Sequence, residues 1–278
     1  MRHIKAGSAE AAYIMMATVI FNGLSLRNFR ANLLWGNGST IRAVTAEFMK
    51  LLKAMTEGPD LSALSVFAQD TWGKMCVDGL EDGDLRTFEL WYERHFFDPL
   101  KNFGFNRVNA LFPQDAYPSD FVAQPGYKLG LYDRRMAERG GIHIGIVVVG
   151  PHGHVAFAEQ DYAPASEWLT MPSMCIGLTE ASRLADKDYP GCNGDFSRVP
   201  KTALTITPGT LINQLAPKAC LVVGARGDHN KENVFHMLEG EIGPSWPISF
   251  VQLMAELRPD VEVVVVTDEA ARVLLTNQ

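Results

Sequence analysis

A chain of 278 residues with 47% hydrophobic side chains can build a sizeable core, and its formal net charge of −7 argues against a nucleic-acid-binding surface. The four cysteines, Cys76, Cys175, Cys192 and Cys220, are scattered without paired spacing. That pattern fits reduced thiols in a cytoplasmic protein better than a disulfide framework or a zinc site. The apolar segment 11–24 contains Asn22 and Gly23, is too short to span a bilayer and lacks a small-residue cleavage site. It is read as a core-facing helix. Neither a membrane nor a nucleic acid is expected as a partner, and a homo-oligomer is left open.

Ser8 is placed to cap that first helix. Residues 27–30 form a turn, and the short apolar strand 31–35 follows. It runs into Gly36, Asn37, Gly38, Ser39 and Thr40, and then into a helical pattern over 41–55. A strand, a glycine-rich turn and a helix start can form an anion cradle from backbone N–H groups, with two hydroxyls added. The same residues also fit a tight turn with a Ser/Thr cap. A second strand, 61–67, leads to Asp70, which on its own fits a cap for the next helix. Residues 87–97 form an amphipathic helix whose stripe, Phe88, Leu90, Trp91, Phe96 and Phe97, is expected to be core. A short strand at 106–111, a loop with Pro113 and Pro118, and a helix at 127–139 stopped by Gly140 and Gly141 come next.

Residues 142–149 are an apolar, β-branched run that reads as a strand buried on both faces. It stops at Gly150, and Pro151, His152, Gly153 and His154 cannot continue a central strand comfortably. Two imidazoles and Glu159 therefore fall outside the carboxyl end of a strand, where open parallel sheets bind ligands. His152 and His154, with His143 and Glu159, are a weak metal signature; no metal and no cofactor are expected. His143 lies within the strand and is read as a packed, hydrogen-bonded residue. Residues 161–173 are irregular and have the look of a lid. Helices at 178–186, 230–238 and 248–257, strands at 204–206, 219–223 and 261–266, and a loop at 189–195 complete the chain. Strand and helix alternate without linker or repeat. The expected fold is a three-layer, doubly wound, Rossmann-like α/β fold with a mainly parallel sheet, forming one domain over residues 1–278.

The segment Gly150-Pro-His-Gly-His-Val-Ala-Phe-Ala-Glu159 resembles the active-site segment of glucosamine-6-phosphate deaminases, Gly-x-Asp-Gly-His-Ile-Ala-Phe-Asn-Glu-Pro. Val199-Pro-Lys-Thr-Ala-Leu-Thr205, then Gly209-Thr210, is similar to a second family block. Leu238-Glu-Gly240, Trp246-Pro-Ile-Ser249, Gln252-Leu253 and Asp268-Glu269 follow in the family's order. The series runs from roughly residue 30 to the end.

The resemblance implies an enzyme that opens an amino-sugar phosphate ring, moves the C2 proton and releases a ketose phosphate and ammonia. His154 matches the ring-opening histidine, Glu159 the acid that orients it, and Asp70 the base for the C2 proton. His152 stands where the family has an aspartate. The phosphate would lie on residues 36–40 with Lys231 and either Arg183 or Arg198, although an ungapped extension puts Asp188 at the arginine position. The alternatives are a hydrolase resembling 6-phosphogluconolactonase and a non-catalytic sugar-phosphate-binding domain.

Overall fold

The computed structural model describes residues 1–72, 88–118, 121–189 and 191–276; Cys76, Thr87 and Pro190 fall outside them. In chain order, the first half comprises β1 (Arg2–Lys5), α1 (Ala9–Ser25), β2 (Asn32–Trp35), α2 (Ser39–Ala54), β3 (Ser65–Ala68) and β4 (Asp70–Thr71). It continues with α3 (Phe88–Tyr92), a π-helical turn over Glu93–Phe97, α4 (Asp98–Lys101), β5 (Ala110–Leu111) and α5 (Gly130–Glu138). The second half comprises β6 (Ile142–Val148), β7 (Met174–Gly177), α6 (Glu180–Ala185), β8 (Thr202–Thr205) and α7 (Pro208–Gln214). It ends with β9 (Leu215–Ala225), α8 (Lys231–Leu238), α9 (Phe250–Leu257) and β10 (Glu262–Thr267).

Seven strands form one parallel sheet in the order β1-β10-β9-β6-β2-β3-β5. Side chains alternate across it, as the two-residue period of a strand requires. Leu33, Trp35, Ile144, Ile146, Val222 and Val264 face one core with α1 and α2. Leu34, Phe67, Val147, Leu221, Val223 and Val265 face the other, with α5, α7, α8 and α9. These are the three layers expected from the alternation of strand and helix. Ser8 caps α1 by accepting from the Ala11 amide at 3.2 Å.

Three differences from the sequence reading bear on the site. The strand expected at 61–67 starts late and ends at Ala68. Most of 106–111 is a tight turn, with only Ala110 and Leu111 extended. A second, antiparallel sheet, β4-β8-β7, stands beyond the carboxyl ends of the main strands. Among the described residues, no helix is long and apolar enough to cross a membrane. Cys175, Cys192 and Cys220 are buried.

The aromatic stripe is core, as read. Trp91 and Phe97 are buried, and Phe96 is fully buried and stacked on Trp35 with ring centroids 4.8 Å apart. Truncating such a side chain loses transfer energy and leaves a cavity. Phe96→Ala should cost about 3–5 kcal/mol in urea denaturation. Val108→Ala, at a side chain 72% exposed, should stay within about 0.5 kcal/mol of the parent.

Candidate active site

A cleft of about 290 Å³ lies beyond the carboxyl ends of β2, β3, β6 and β9. Each strand delivers one part of it. After β2, the chain turns at Gly38 and enters α2, whose N-terminus has no side-chain cap. Its first amides are therefore free for an anion, and the helix dipole favours one. Asn37 is held by its own contacts, since its amide donates to the Tyr189 hydroxyl at 2.8 Å and its Oδ1 accepts from Gly38 at 2.7 Å. From the end of β9, Arg226 reaches the same turn, with Nε 3.2 Å from Thr40 Oγ1 and Nη2 3.4 Å from Ser39 Oγ. The Arg226 loop is itself fixed. Gly227 N–H donates to both Asp268 oxygens at 3.0 Å, and Asn230 Nδ2 donates to the Arg226 carbonyl at 2.9 Å.

After β3, Gln69 carries the chain from the large sheet to the small one. Its side-chain amide donates to the Ile146 carbonyl. Gly36 makes room for it: a Cβ there would lie 2.6 Å from Gln69 Oε1. Asp70 follows, paired in register with Thr205 of β8. It lines the cleft, is only 6% exposed, and its Oδ1 has no hydrogen-bond partner among the described residues. Burial, with the nearby Asp186 carboxylate, raises its pKa to about 8. Asp186, at the C-terminal cap of α6, is raised by burial to about 7, with Arg42 opposing and Glu159 adding to the shift.

After β6, the chain folds back on itself through bridges between Val149 and Val155 and between Val155 and Ala158. The Phe157 amide donates to Thr205 Oγ1 at 2.9 Å, so β8 anchors this loop as well as Asp70. The His154 imidazole lies directly over Gly150, where a Cβ would come within 1.6 Å of Nε2. Burial, reinforced by His152, pushes His154 down to about 4, so its ring is neutral near pH 7. One wall carries Phe88, Phe157 and Tyr189, with Trp72 packed against Phe88 and Tyr189 at centroid distances of 4.8 and 5.1 Å. Phe88, from the stripe read as pure core, also lines the cleft.

The structure thus brings together Asn37, Gly38, Ser39, Thr40, Asp70 and His154. Gly36 sits one step behind, against Gln69. The other expected residues point elsewhere. His152 is exposed, has φ 53° and does not line the cleft. Glu159 is buried, and its Oε2 accepts from the Thr179 amide at 3.0 Å, tying the loop to the start of α6; Oε1 has no partner among the described residues. Lys231 turns to Asp228, 3.3 Å away. Arg183 donates to the Val199 and Phe196 carbonyls at 3.1 and 3.3 Å and lies over the Phe196 ring. Arg198 is exposed in a short turn. The cation at the loop is instead Arg226, which the sequence reading missed. Its position just past the end of a central strand was the available signal. His143 accepts from the Asn32 amide at 3.0 Å, the hydrogen-bonded role expected of it. Among the described residues, no group of three His, Cys, Asp or Glu side chains is arranged to hold a metal.

These features define a three-layer α/β fold whose cleft is lined by an uncapped helix N-terminus and a buried carboxyl. A glucosamine-6-phosphate deaminase of Alkaliphilus oremlandii is 26% identical over 271 residues, covering 97% of this chain and 96% of that protein. One of Phocaeicola vulgatus is 34% identical over 141 residues, covering 50% of this chain and 47% of that protein. The higher-identity match thus spans about half of the relative's length. A monomeric glucosamine-6-phosphate deaminase structure superposes with a TM-score of 0.77 at 19% identity, covering 98% of both chains. The 6-phosphogluconolactonase of Trypanosoma cruzi superposes with a TM-score of 0.65 at 15% identity, covering 99% of this chain and 97% of that one. These structural likenesses establish the fold. No family model matches. The chain is thus similar to glucosamine-6-phosphate deaminases over nearly its whole length.

The buried carboxyl makes stability depend on pH. Asp70 has an ordinary value of 3.8 and a folded value of about 8, so the folded chain holds a proton that the unfolded chain releases. Its contribution is fully present below pH 3.8 and is lost as pH rises through about 8. An Asn at this position carries no charge at any pH. Asp70→Asn should therefore melt above the parent at pH 9, and the difference should shrink toward pH 5 in calorimetric scans.

Proposed function

We propose that this chain converts an amino-sugar phosphate of the glucosamine 6-phosphate type to a ketose phosphate and ammonia. The observation that carries the reading is the buried, unpartnered Asp70 carboxyl in one cleft with a neutral imidazole and an uncapped helix N-terminus. The α2 amides, the Ser39 and Thr40 hydroxyls and Arg226 would hold the phosphate. Arg226 takes the part expected of Lys231, Arg183 or Arg198.

His154 would take the proton from the anomeric hydroxyl and deliver one to the ring oxygen, opening the pyranose. Its low pKa keeps a lone pair available near neutral pH. Asp70, once ionised, would remove the C2 proton and return a proton to C1. That shift turns the open-chain aldose amine into a ketose imine. Water then adds at C2 and ammonia leaves, giving the ketose phosphate. Gly150 and the anchored 150–159 loop hold the imidazole in place. The aromatic wall limits water around the reacting carbons. Glu159 would act through the loop, by fixing it to α6, instead of touching His154.

The experiment is turnover and C2-hydrogen exchange in deuterated buffer with glucosamine 6-phosphate. Asp70→Asn should lower both by about 10² to 10⁴, the usual worth of a positioned base. Since Asp70 must be ionised, kcat/KM for the parent should rise with pH through about 8 and then level off. Full turnover and exchange by Asp70→Asn would sink the carboxylate-base mechanism. Hydrolysis of 6-phosphogluconolactone without any deamination would replace it with the lactonase reading.

The phosphate end is tested separately. Inorganic phosphate and glucose 6-phosphate should raise the melting temperature, whereas free glucose should not. Arg226→Met should weaken both anions by about tenfold, the scale of a charge-assisted hydrogen bond. An equal shift by free glucose and glucose 6-phosphate would show that residues 36–40 are not a phosphate cradle.

A further inference from the structure

The cleft has two chemically opposite ends. One is formed by the α2 N-terminus, Ser39, Thr40 and Arg226. The other is formed by Asp70 and Asp186, which enter from separate elements, β4 and the end of α6. At the α6 side, where the family resemblance implies an arginine, Arg183 turns to backbone carbonyls and a carboxylate lines the cavity instead. The ungapped alignment pointed to Asp188; in the fold that residue is exposed, and Asp186 is the one facing the cleft.

Neither carboxylate at this end is neutralised by the protein. The Asp186 backbone bonds to Ser182 and Tyr189, but its side chain makes no hydrogen bond or close ion pair with a described residue, and Asp70 Oδ1 is buried without a donor. The charged groups facing Asp186 are Arg42 from α2, Glu159 from the loop after β6 and Asp70 from β4. Arg42 is held between the Trp91 and Tyr189 rings, 5.7 and 5.2 Å from their centroids, and acts on Asp186 only through its field. A buried, unpartnered Asp70 carboxyl beside a half-buried Asp186 side chain in one small cavity suits a ligand that brings N–H donors and positive charge.

We propose that Asp186 holds the protonated amine of the substrate while the α2 end holds its phosphate, so that the cleft selects a small zwitterion over the matching neutral-sugar phosphate. This rests on the reading that the cleft takes a sugar phosphate, and it assigns Asp186 as the residue that determines specificity for the amine. The bound ammonium would lie beside Asp70 as well, lowering the cost of ionising the base.

The test uses unreactive ligands, so that nothing is consumed: 2-amino-2-deoxyglucitol 6-phosphate and glucitol 6-phosphate, titrated calorimetrically into the full chain at pH 7.5. The parent should bind the amine about tenfold or more tightly than the alcohol, the scale of a charge-assisted hydrogen bond. Asp186→Asn, and Asp186→Ser beside it as a second uncharged replacement, should bring that ratio close to one by weakening only the amine. Binding of glucitol 6-phosphate should stay the same or tighten. Retention of the amine preference by either variant, with a parent-like melting curve, would overturn the assignment. So would equal binding of the two ligands by the parent, which would leave the phosphate reading intact. Binding of neither ligand by the parent would overturn both. A general structural role for Asp186 would weaken the two ligands alike and would not move their ratio.

Discussion

The site depends on how Gln69 carries the chain from one sheet to the other. The Gln69 amide donates to the Trp35 carbonyl at 3.0 Å, and its carbonyl accepts from Ile206 at 2.9 Å. Its side chain donates to the Ile146 carbonyl. One residue therefore ties β2, β6 and the segment after β8 at the point where β3 stops. Without that crossing, Asp70 would continue a parallel strand; with it, Asp70 enters an antiparallel pair beyond the main sheet. Buried polar groups have to find partners, and a glutamine with all its backbone bonds committed cannot easily shift. The missing side chain at Gly36 is part of the same constraint, because any Cβ there would meet the Gln69 amide that holds the crossing.

Thr205 then links the two chemical groups. Its backbone pairs with Asp70, and its hydroxyl accepts from the Phe157 amide while donating to the Ile206 carbonyl at 3.0 Å. The carboxyl and the imidazole loop are thus referenced to one buried strand end. Preorganisation of this kind matters for proton transfer, where small displacements are expensive. It also fixes the electrostatics. Asp70 is desolvated by the same packing that positions it, so its raised pKa follows from the anchoring.

Much of this could be read in the sequence, for reasons that differ by element. The runs at 31–35 and 142–149 are continuous apolar segments ended by glycine, which is how strands covered on both faces look. Their ends pointed to Ser39 and His154, both of which line the cleft. Asp70 needed the family resemblance, because a lone aspartate after a strand is more often a cap. The small sheet was hidden: β4 has two residues, β7 and β8 four each, too short for periodicity to register. β1 reads Arg-His-Ile-Lys, an edge strand whose partly polar composition gives no apolar run. The choice of Arg226 over Lys231 depends on which way side chains leave a loop pinned by Asp268, and spacing along the chain carries no information about that. The same holds for α6, where the rotation of one short helix sends Arg183 away and Asp186 in.

His152 shows how far the loop has diverged from the pattern it resembles. An aspartate there would offer a fixed negative charge close to His154 and would tend to raise its pKa. This chain has an imidazole in a left-handed turn, outside the cleft, and its effect on His154 is to lower the pKa further. The acidic groups that line the cavity are instead Asp70 and Asp186. His154 is therefore biased toward its neutral form by burial and by a neighbouring base, while the carboxyls are biased toward their protonated forms by burial, with Asp186 adding to the shift of Asp70 and Glu159 to that of Asp186. At neutral pH the empty cleft holds an imidazole that can accept a proton and a carboxyl that has yet to lose one. A cationic ligand is the species that would reverse the second bias without disturbing the first.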